Sequence, residues 1–203
     1  MSARIVVGIT GASGSVYARR LLEGLVQAGA EIHLIVSPLG RAVAGTELGD
    51  SERLLPTVSG KASLVSYGHD DLFATPASGS TPTDGMIVCP CSCHTLSGIA
   101  GGLGDNLITR AAHVHLKERR RLVLCLREMP LAHIDLKNML RVSEAGGIIA
   151  PASPPFYGRP ETVEALVDQL VGRLLDLVGV PNDLAVRWTR PPSGLPPEST
   201  PTE

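Results

Sequence analysis

Short apolar runs alternate along the chain with segments whose apolar residues recur at helical spacing. The clearest runs are continuous and rich in Val, Ile and Leu, a composition typical of strands that are buried on both faces of a sheet. These runs predict strands at 4–9, 31–37, 86–90 and 121–128, and weaker patterns predict strands at 62–68 and 147–153.

Helical spacing fills most of the segments between these strands. It predicts helices at 15–30, 38–48, 94–103, 105–120, 136–146 and 160–179. Asp105 is the predicted N-cap of the fourth helix. Pro160 and Glu161 suit the first turn of the last helix, and Gly179 suits its end.

Repeated alternation of strand and helix predicts a single-domain, doubly wound parallel sheet with helices on both faces, a three-layer α/β sandwich. We assign residues 1–189 to this domain. We expect the tail at 190–203 to be disordered, because it is rich in Pro, Ser and Thr. In such folds ligands bind at the carboxyl ends of the strands, so the loops that follow strands are the places to search.

Composition narrows the function classes. The 203 residues carry a formal net charge of -2, which gives no general electrostatic reason to expect binding to nucleic acid or to an anionic membrane. No apolar run reaches the length needed to span a bilayer, and the N-terminus lacks the pattern of a signal peptide. The cysteine spacing does not resemble a disulfide framework, so we expect a cytoplasmic protein.

The first strand is followed by GITGASGS at 8–15, which does not match the dinucleotide fingerprint G-x-G-x-x-G. Its small residues leave backbone N–H groups accessible, and the start of the next helix favours an anion there. A phosphate site is therefore one interpretation of this loop. A tight turn that needs glycine for its geometry is the other.

The stretch CPCSCHT at 89–95 looks like a metal site, since it contains three of the four cysteines and His94. In an extended strand, however, Cys89, Cys91 and Cys93 point to the same side, and adjacent ligands cannot surround a tetrahedral ion. No second ligand cluster lies elsewhere in the sequence. A C-x-C redox pair stays possible, although the usual C-x-x-C spacing is missing.

Two pairs of charged residues also stand out. Arg127 and Glu128 end an apolar strand, where they would face a ligand or form a structural ion pair. Arg110 and Lys117 are seven residues apart on a predicted helix. They therefore share a face, about 10 Å apart along the axis. Two cations on one face can bind a phosphate or lie on a solvated surface.

Six blocks of the sequence, in order, resemble the flavin prenyltransferases of the UbiX family. The resemblance extends from about residue 3 to Trp188. The blocks read GITGASGSVYARRLL, CPCSCHTLSGIA, DNLITRAAHVHLKERRRLVL, REMPL, PASPPFYGRPETV and GRLLDLVGVP.

The resemblance implies a flavodoxin-like or Rossmann-like flavoprotein that assembles as a homo-oligomer, usually a dodecamer. It implies FMN as cofactor and dimethylallyl monophosphate as prenyl donor, with the prenyl group joined to N5 and C6 of reduced FMN. The prenylated FMN would then serve a UbiD-type decarboxylase. The resemblance implies no metal.

Carried over residue by residue, the resemblance implies three sets of site residues. The cofactor-binding set is Gly11, Ala12, Ser13, Ser37, Ser92, Cys93, His94, Thr95 and Arg127. The substrate-binding set is Arg110, Lys117, Tyr157, Arg173 and Trp188. The catalytic set is Ser13, Glu47 and Glu128. These residue types suit the chemistry, since cations bind phosphate, aromatic faces stabilise an allyl cation and a carboxylate can accept a proton.

Two other functions remain as alternatives. A flavin-dependent cysteine-type decarboxylase of the same fold typically reads PASANT where this chain has PCSCHT at 90–95, and it carries a histidine where this chain offers Glu47. A non-catalytic flavin-binding protein would not need the phosphate-binding set. The chain departs from the family pattern at His113 and at 135–139, positions that bear on helix packing or subunit contacts.

Overall fold

The computed structural model describes residues 2–188, whose strands form one six-stranded parallel sheet in the order β3-β2-β1-β4-β5-β6. The strands are β1 Arg4–Ile9, β2 Glu31–Val36, β3 Ser63–Tyr67, β4 Gly85–Cys91, β5 Arg121–Leu126 and β6 Ile148–Ile149. This strand order is that of dinucleotide-binding Rossmann sheets, and its direction of winding reverses between β1 and β4. The predicted α/β fold is confirmed.

Six α-helices connect the strands within the described residues. They are α1 Ser15–Gln27, α2 Pro38–Leu48, α3 Cys93–Ala100, α4 Leu107–Lys117, α5 His133–Glu144 and α6 Val163–Val178. Short 3₁₀ turns lie at Ser51–Leu54 and Thr75–Ala77.

The strands are buried on both faces, because each face has its own apolar core. In β1, Ile5 and Val7 point into the core under α1 and α6, whereas Val6 points into the core under α3 and α4. Helix α1 packs closely on α6, since a Cβ added at Gly24 would lie 3.0 Å from Leu175 Cδ1. The continuous apolar runs in the sequence follow from this double burial.

Several predicted boundaries were wrong. Helix α4 is capped by Asn106, whose side chain accepts the N–H groups of Ile108 and Thr109, and Asp105 lies outside it. Helix α6 begins after the N-cap Thr162, so Pro160 and Glu161 precede its first turn. Gly179, with φ 77°, ends α6 as predicted.

The predicted sixth strand at 147–153 shortens to two residues in the ladder, although Ala150 and Ala152 still donate N–H groups to Leu124 and Leu126. The predicted tail at 190–203 lies outside the described residues. Between residues 2 and 188, no helix is both long and apolar enough to cross a bilayer.

Candidate functional site

A cleft of about 410 Å³ opens at the carboxyl ends of four neighbouring strands. Its lining residues follow β1, β2, β3 and β4 or begin α4. They are Thr10, Gly11, Ser37, Pro38, Leu39, His69, Asp70, Ser92, His94, Thr95 and Asn106. Five of the predicted cofactor-binding residues therefore lie on one cleft, at the reversal of strand order where this fold binds ligands.

Three helices point their N-termini at this cleft. Ser37 caps α2 by accepting the N–H of Gly40, Ser92 caps α3 by accepting the N–H of Thr95, and Asn106 caps α4. Each helix N-terminus carries a partial positive charge and N–H groups that suit an anion. The volume lies within the usual range for small-molecule sites, so the cleft fits a phosphate-bearing ligand of the size of FMN.

The turn after β1 is packed tightly against the cleft wall. A Cβ added at Gly11 would lie 2.6 Å from Leu39 Cβ, so only glycine fits there without a shift. The Thr10 hydroxyl donates to Pro90 O at 2.7 Å and accepts the N–H of Ser92 at 2.9 Å. These bonds hold the two predicted flavin loops together. Ala12 is buried beside them.

Glu47 caps helix α1, although it belongs to α2. Its Oε2 accepts the N–H groups of Gly14 at 3.0 Å and Ser15 at 2.7 Å. Partial burial alone would raise the pKa of Glu47, but hydrogen bonds from Ser13, Ser15 and Gly14 outweigh it and lower the pKa below its ordinary value. Glu47 is therefore ionised at neutral pH. Its carboxylate accepts the N–H groups at the start of α1 for which the sequence suggested a phosphate as partner.

Arg127 and Ser13 meet at the other side of the β1 turn. Arg127 Nε donates to Ser13 O at 3.0 Å, and the Arg127 N–H donates to Cys91 O at 3.1 Å. Arg127 thus joins the ends of β1, β4 and β5. Glu128, the next residue, is exposed, and its carboxylate accepts the N–H of Met129 at 3.1 Å.

The cysteines of CPCSCHT have structural positions. Cys89 and Cys91 are buried in the cores. A hydrogen bond with Cys125, and then burial, raises the pKa of the Cys89 thiol, and burial raises the pKa of the Cys91 thiol. Burial, followed by the carboxylates of Asp135 and Glu128, raises the pKa of Cys93 to about 11. These thiols are protonated at neutral pH and are poor nucleophiles. Across residues 2–188, no cluster of three His, Cys, Asp or Glu side chains could hold a metal ion.

A second cavity, of about 520 Å³, brings three predicted substrate residues together. Tyr157, Arg173 and Trp188 line it beside α6. The Tyr157 and Trp188 rings meet edge to face with centroids 5.4 Å apart, and the Tyr157 hydroxyl donates to Val186 O at 3.3 Å. The apolar part of the wall includes Leu170, Leu174 and Leu177.

Arg110 and Lys117 lie on the opposite face of the sheet from this cavity, because α4 packs into one core and α6 into the other. Both side chains lie against the segment 77–81. Arg110 Nε donates to Ala77 O at 3.0 Å, and a Cβ at Gly79 would lie 2.7 Å from Lys117 Nζ. A single protomer therefore does not bring all five predicted substrate residues together.

Sequence reasoning missed the loop after β3. His69 and Asp70 line the cleft, and His69 O accepts the N–H of Leu107 at 2.8 Å, which fixes the loop to the start of α4. The segment 77–81 was missed as well. Arg120 donates to Thr81 O at 2.7 Å and to Gly79 O at 2.6 Å, so this segment is held beside Arg110 and Lys117. The available signal in the sequence was the polar residues of these loops, His69 and Asp70 in the first and 78–81 in the second.

Comparison with known proteins shows that the sequence of this chain matches one protein family. A sequence profile of the Flavoprotein family matches residues 1–175. The flavin prenyltransferase UbiX of Thermoplasma acidophilum is 49% identical over 185 residues, which cover 91% of this chain and 99% of that protein.

Two solved structures are similar along most of their length. AnUbiX (PadA1), crystallised with FMN and dimethylallyl pyrophosphate, has a TM-score of 0.85 and 40% identity, and the match covers 94% of this chain and 99% of that one. A dodecameric FMN-dependent UbiX-like decarboxylase from Escherichia coli O157:H7 has a TM-score of 0.83 and 41% identity, with 92% and 100% covered.

Proposed function

The chain belongs to the UbiX family of flavin prenyltransferases, and from this premise we propose that it transfers a dimethylallyl group from dimethylallyl monophosphate to N5 and C6 of reduced FMN. The observation that carries this proposal is the 410 Å³ cleft, where five predicted flavin-binding residues meet three helix N-termini. The similar structure of AnUbiX with FMN and dimethylallyl pyrophosphate supports FMN and a dimethylallyl phosphate ester as the ligands.

Reduced FMN supplies the nucleophilic atoms when it is bound. The residues beside the β1 turn are arranged to hold and polarise it. The ionised Glu47 accepts the N–H groups of Gly14 and Ser15, and Arg127 donates to the Ser13 carbonyl from the other side. We propose that these contacts from both sides keep the Ser13 hydroxyl in place. There it positions the reacting edge of the flavin or relays a proton.

The donor is bound by its phosphate and by its apolar chain. A prenyl monophosphate has an ordinary phosphate as leaving group, so catalysis requires cations that stabilise the charge developing on that phosphate. Arg173 supplies such a cation at the 520 Å³ cavity, and Tyr157 beside it carries a neutral hydroxyl. The leucine wall accepts the five-carbon chain, and Trp188 offers a π face to an allyl cation.

The donor phosphate site is shared between copies of the chain. Arg110 and Lys117 lie on one face of the sheet, and Tyr157, Arg173 and Trp188 belong to the other. Both sets can surround one phosphate only where two protomers meet. The dodecamer formed by the similar Escherichia coli protein supports a homo-oligomer of this kind.

Formation of the second bond, at C6, requires removal of a proton. Glu128 is exposed at the end of β5, one residue from Arg127, and we propose that its carboxylate accepts this proton. We further propose that the product passes to a UbiD-type decarboxylase in the cytoplasm, since a prenylated flavin needs a recipient enzyme.

An anaerobic incubation tests the reaction. Purified protein is mixed with reduced FMN and dimethylallyl monophosphate, and the flavin is analysed by mass spectrometry for the addition of one C5 unit. Glu128→Gln is expected to bind FMN normally and to lose product. Unchanged FMN with the wild-type protein, under conditions in which a known flavin prenyltransferase turns over, would contradict the proposal.

Decarboxylation is the second candidate, because the similar Escherichia coli structure is described as a UbiX-like decarboxylase. The same protein is incubated with oxidised FMN and a peptide that ends in cysteine, and released CO₂ is measured. CO₂ release in this mixture, together with unchanged FMN in the anaerobic assay with the prenyl donor, would favour the decarboxylase. The expected result is no CO₂ here and prenylated flavin in the anaerobic assay.

A further inference from the structure

The 520 Å³ cavity contains a second arginine to which neither the sequence nor the family resemblance assigned a role. Arg187 lines the cavity together with Arg173, and it precedes Trp188 in the chain. The Tyr157 hydroxyl donates to the carbonyl of Val186, the residue before Arg187. This bond and the contact between the Tyr157 and Trp188 rings hold the segment that carries Arg187 against the cavity.

The two arginines converge on one oxygen atom. Arg173 Nη1 donates to Asp176 Oδ2 at 3.0 Å, and Arg187 Nη1 donates to the same Oδ2. Two nitrogens that bond to a common oxygen lie no more than about 6 Å apart. At that spacing two guanidinium groups can also bind two oxygens of one phosphate, the anion for which arginine forks are well suited.

The cluster pairs the two guanidinium groups with carboxylates. Asp176 bonds to both arginines, and Asp183 also lies near enough to Arg187 to attract it. Asn182 Nδ2 donates to Asp176 Oδ1 at 3.1 Å and holds that carboxylate in place. The arginine side chains are 55% and 51% exposed, so an incoming ligand can reach both of them.

The remainder of the cavity matches a short prenyl phosphate. Behind the cations lies the wall of leucine side chains, and the aromatic pair closes one side. A surface ion pair would need no apolar cavity behind it, and such pairs contribute little to stability. The combination of two guanidinium groups and an apolar wall in one cavity is what an amphipathic donor requires.

Building on the proposed function, we propose that Arg187 is a further donor-binding residue, which grips the phosphate of the prenyl donor together with Arg173. Asp176 keeps the two guanidinium groups side by side in the absence of the donor. The ligand class is a prenyl monophosphate.

The test compares Arg187→Gln with Arg141→Gln, which removes one exposed arginine from α5, away from this cavity. We expect Arg187→Gln to raise the KM for dimethylallyl monophosphate about tenfold, the effect of one lost charge-assisted contact. The inhibition constant of inorganic phosphate should rise by a similar factor. The affinity for FMN should not change, and Arg187→Lys should restore part of the donor affinity.

Each outcome bears on a specific statement. A KM for Arg187→Gln within twofold of that for Arg141→Gln would overturn the role of Arg187, as would a raised KM with unchanged inhibition by phosphate. Unchanged FMN affinity shows that the variant is folded. If the wild-type protein made no prenylated FMN, the proposed function itself would fail, and binding of inorganic phosphate to the wild type and to Arg187→Gln would still test the arginine pair.

Discussion

At the scale of single residues, Gly11 has the least freedom in the candidate site. Alanine at this position would place a Cβ 2.6 Å from Leu39 Cβ and would push the β1 turn away from the start of α2. We expect Gly11→Ala to cost about 1–3 kcal/mol of stability and to weaken FMN binding. Denaturant unfolding and FMN titration would measure the two effects.

The matched control is Gly45→Ala, in the middle of α2, where an added Cβ would meet nothing nearer than 3.9 Å. This change should stabilise the helix slightly, since alanine is the better helix former. Equal FMN affinity for Gly11→Ala and Gly45→Ala would show that the close approach at Gly11 does not shape the cleft.

Glu47 allows a prediction about pH. Its pKa is lowered from the ordinary value of 4.5, so its stabilising effect is present above that value and is lost as the pH falls through the lower pKa of the folded protein. We expect Glu47→Gln to cost about 0.5–1 kcal/mol at neutral pH, a modest value because the side chain is largely exposed.

The stability difference between the wild type and Glu47→Gln should shrink as the pH falls below 4.5. Thermal unfolding of both proteins across this range would measure it. A stability difference that stays constant down to the lowest pH would show that the charge of Glu47 does not stabilise the N-terminus of α1.

Sequence reasoning predicted which strand-following residues lie together, although their roles stay predictions. Gly11, Ser37 and Ser92 follow predicted strands, and the ends of parallel strands meet at one edge of the sheet. The role of Glu47 as a helix cap could not be predicted from the sequence, because Glu47 and Gly14 are 33 residues apart in the chain. Asp105 and Asn106 are both good caps, and local preference alone cannot choose between them.

At the scale of elements, the pair α1 and α6 supports the cavity that contains Arg173. Leu175 is fully buried, and its Cδ1 approaches Gly24 of α1 closely. We expect Leu175→Ala to destabilise the protein by about 2–5 kcal/mol through the cavity that it creates. Denaturant unfolding would measure this loss.

Val163→Ala, at the exposed start of α6, is the matched control, since Val163 is 66% exposed. Its effect should stay within about 0.5 kcal/mol. Similar effects of the two substitutions would mean that the packing of α6 on α1 adds little to stability.

Elements with a strong hydrophobic pattern could be predicted from the sequence. The strands at the edges of the sheet were harder to predict. β3 is an edge strand whose residues are only partly buried, so its pattern is weak and the cleft loop that follows it was missed. β6, at the other edge, keeps only two residues in the ladder, and Pro151 just after it has no N–H to donate. Edge strands lack the double burial that makes central strands recognisable.

At the scale of the whole molecule, the division of the phosphate-binding residues between two faces leads to a complementation test. Lys117→Ala and Arg173→Ala should each lose most of their activity. Co-expression of the two variants should restore part of it, because mixed assemblies contain some sites in which both contributions are intact. Prenylated FMN formed per protomer would be measured.

The control is a mixture of Arg173→Ala and Tyr157→Phe, two changes that lie in the same cavity. This mixture has no site with an intact cavity and should not regain activity. Absence of recovery with Lys117→Ala and Arg173→Ala would argue that one protomer suffices.

The convergence of α2, α3 and α4 on the cleft also affects the rate at which the ligand arrives. The chain as a whole carries a net charge of -2, which repels a phosphate ester at long range. The positive ends of the three helix dipoles attract the phosphate only at short range, because their effect falls off within the first turn. Capture of FMN is therefore governed by short-range orientation, and its association rate constant should depend only weakly on ionic strength.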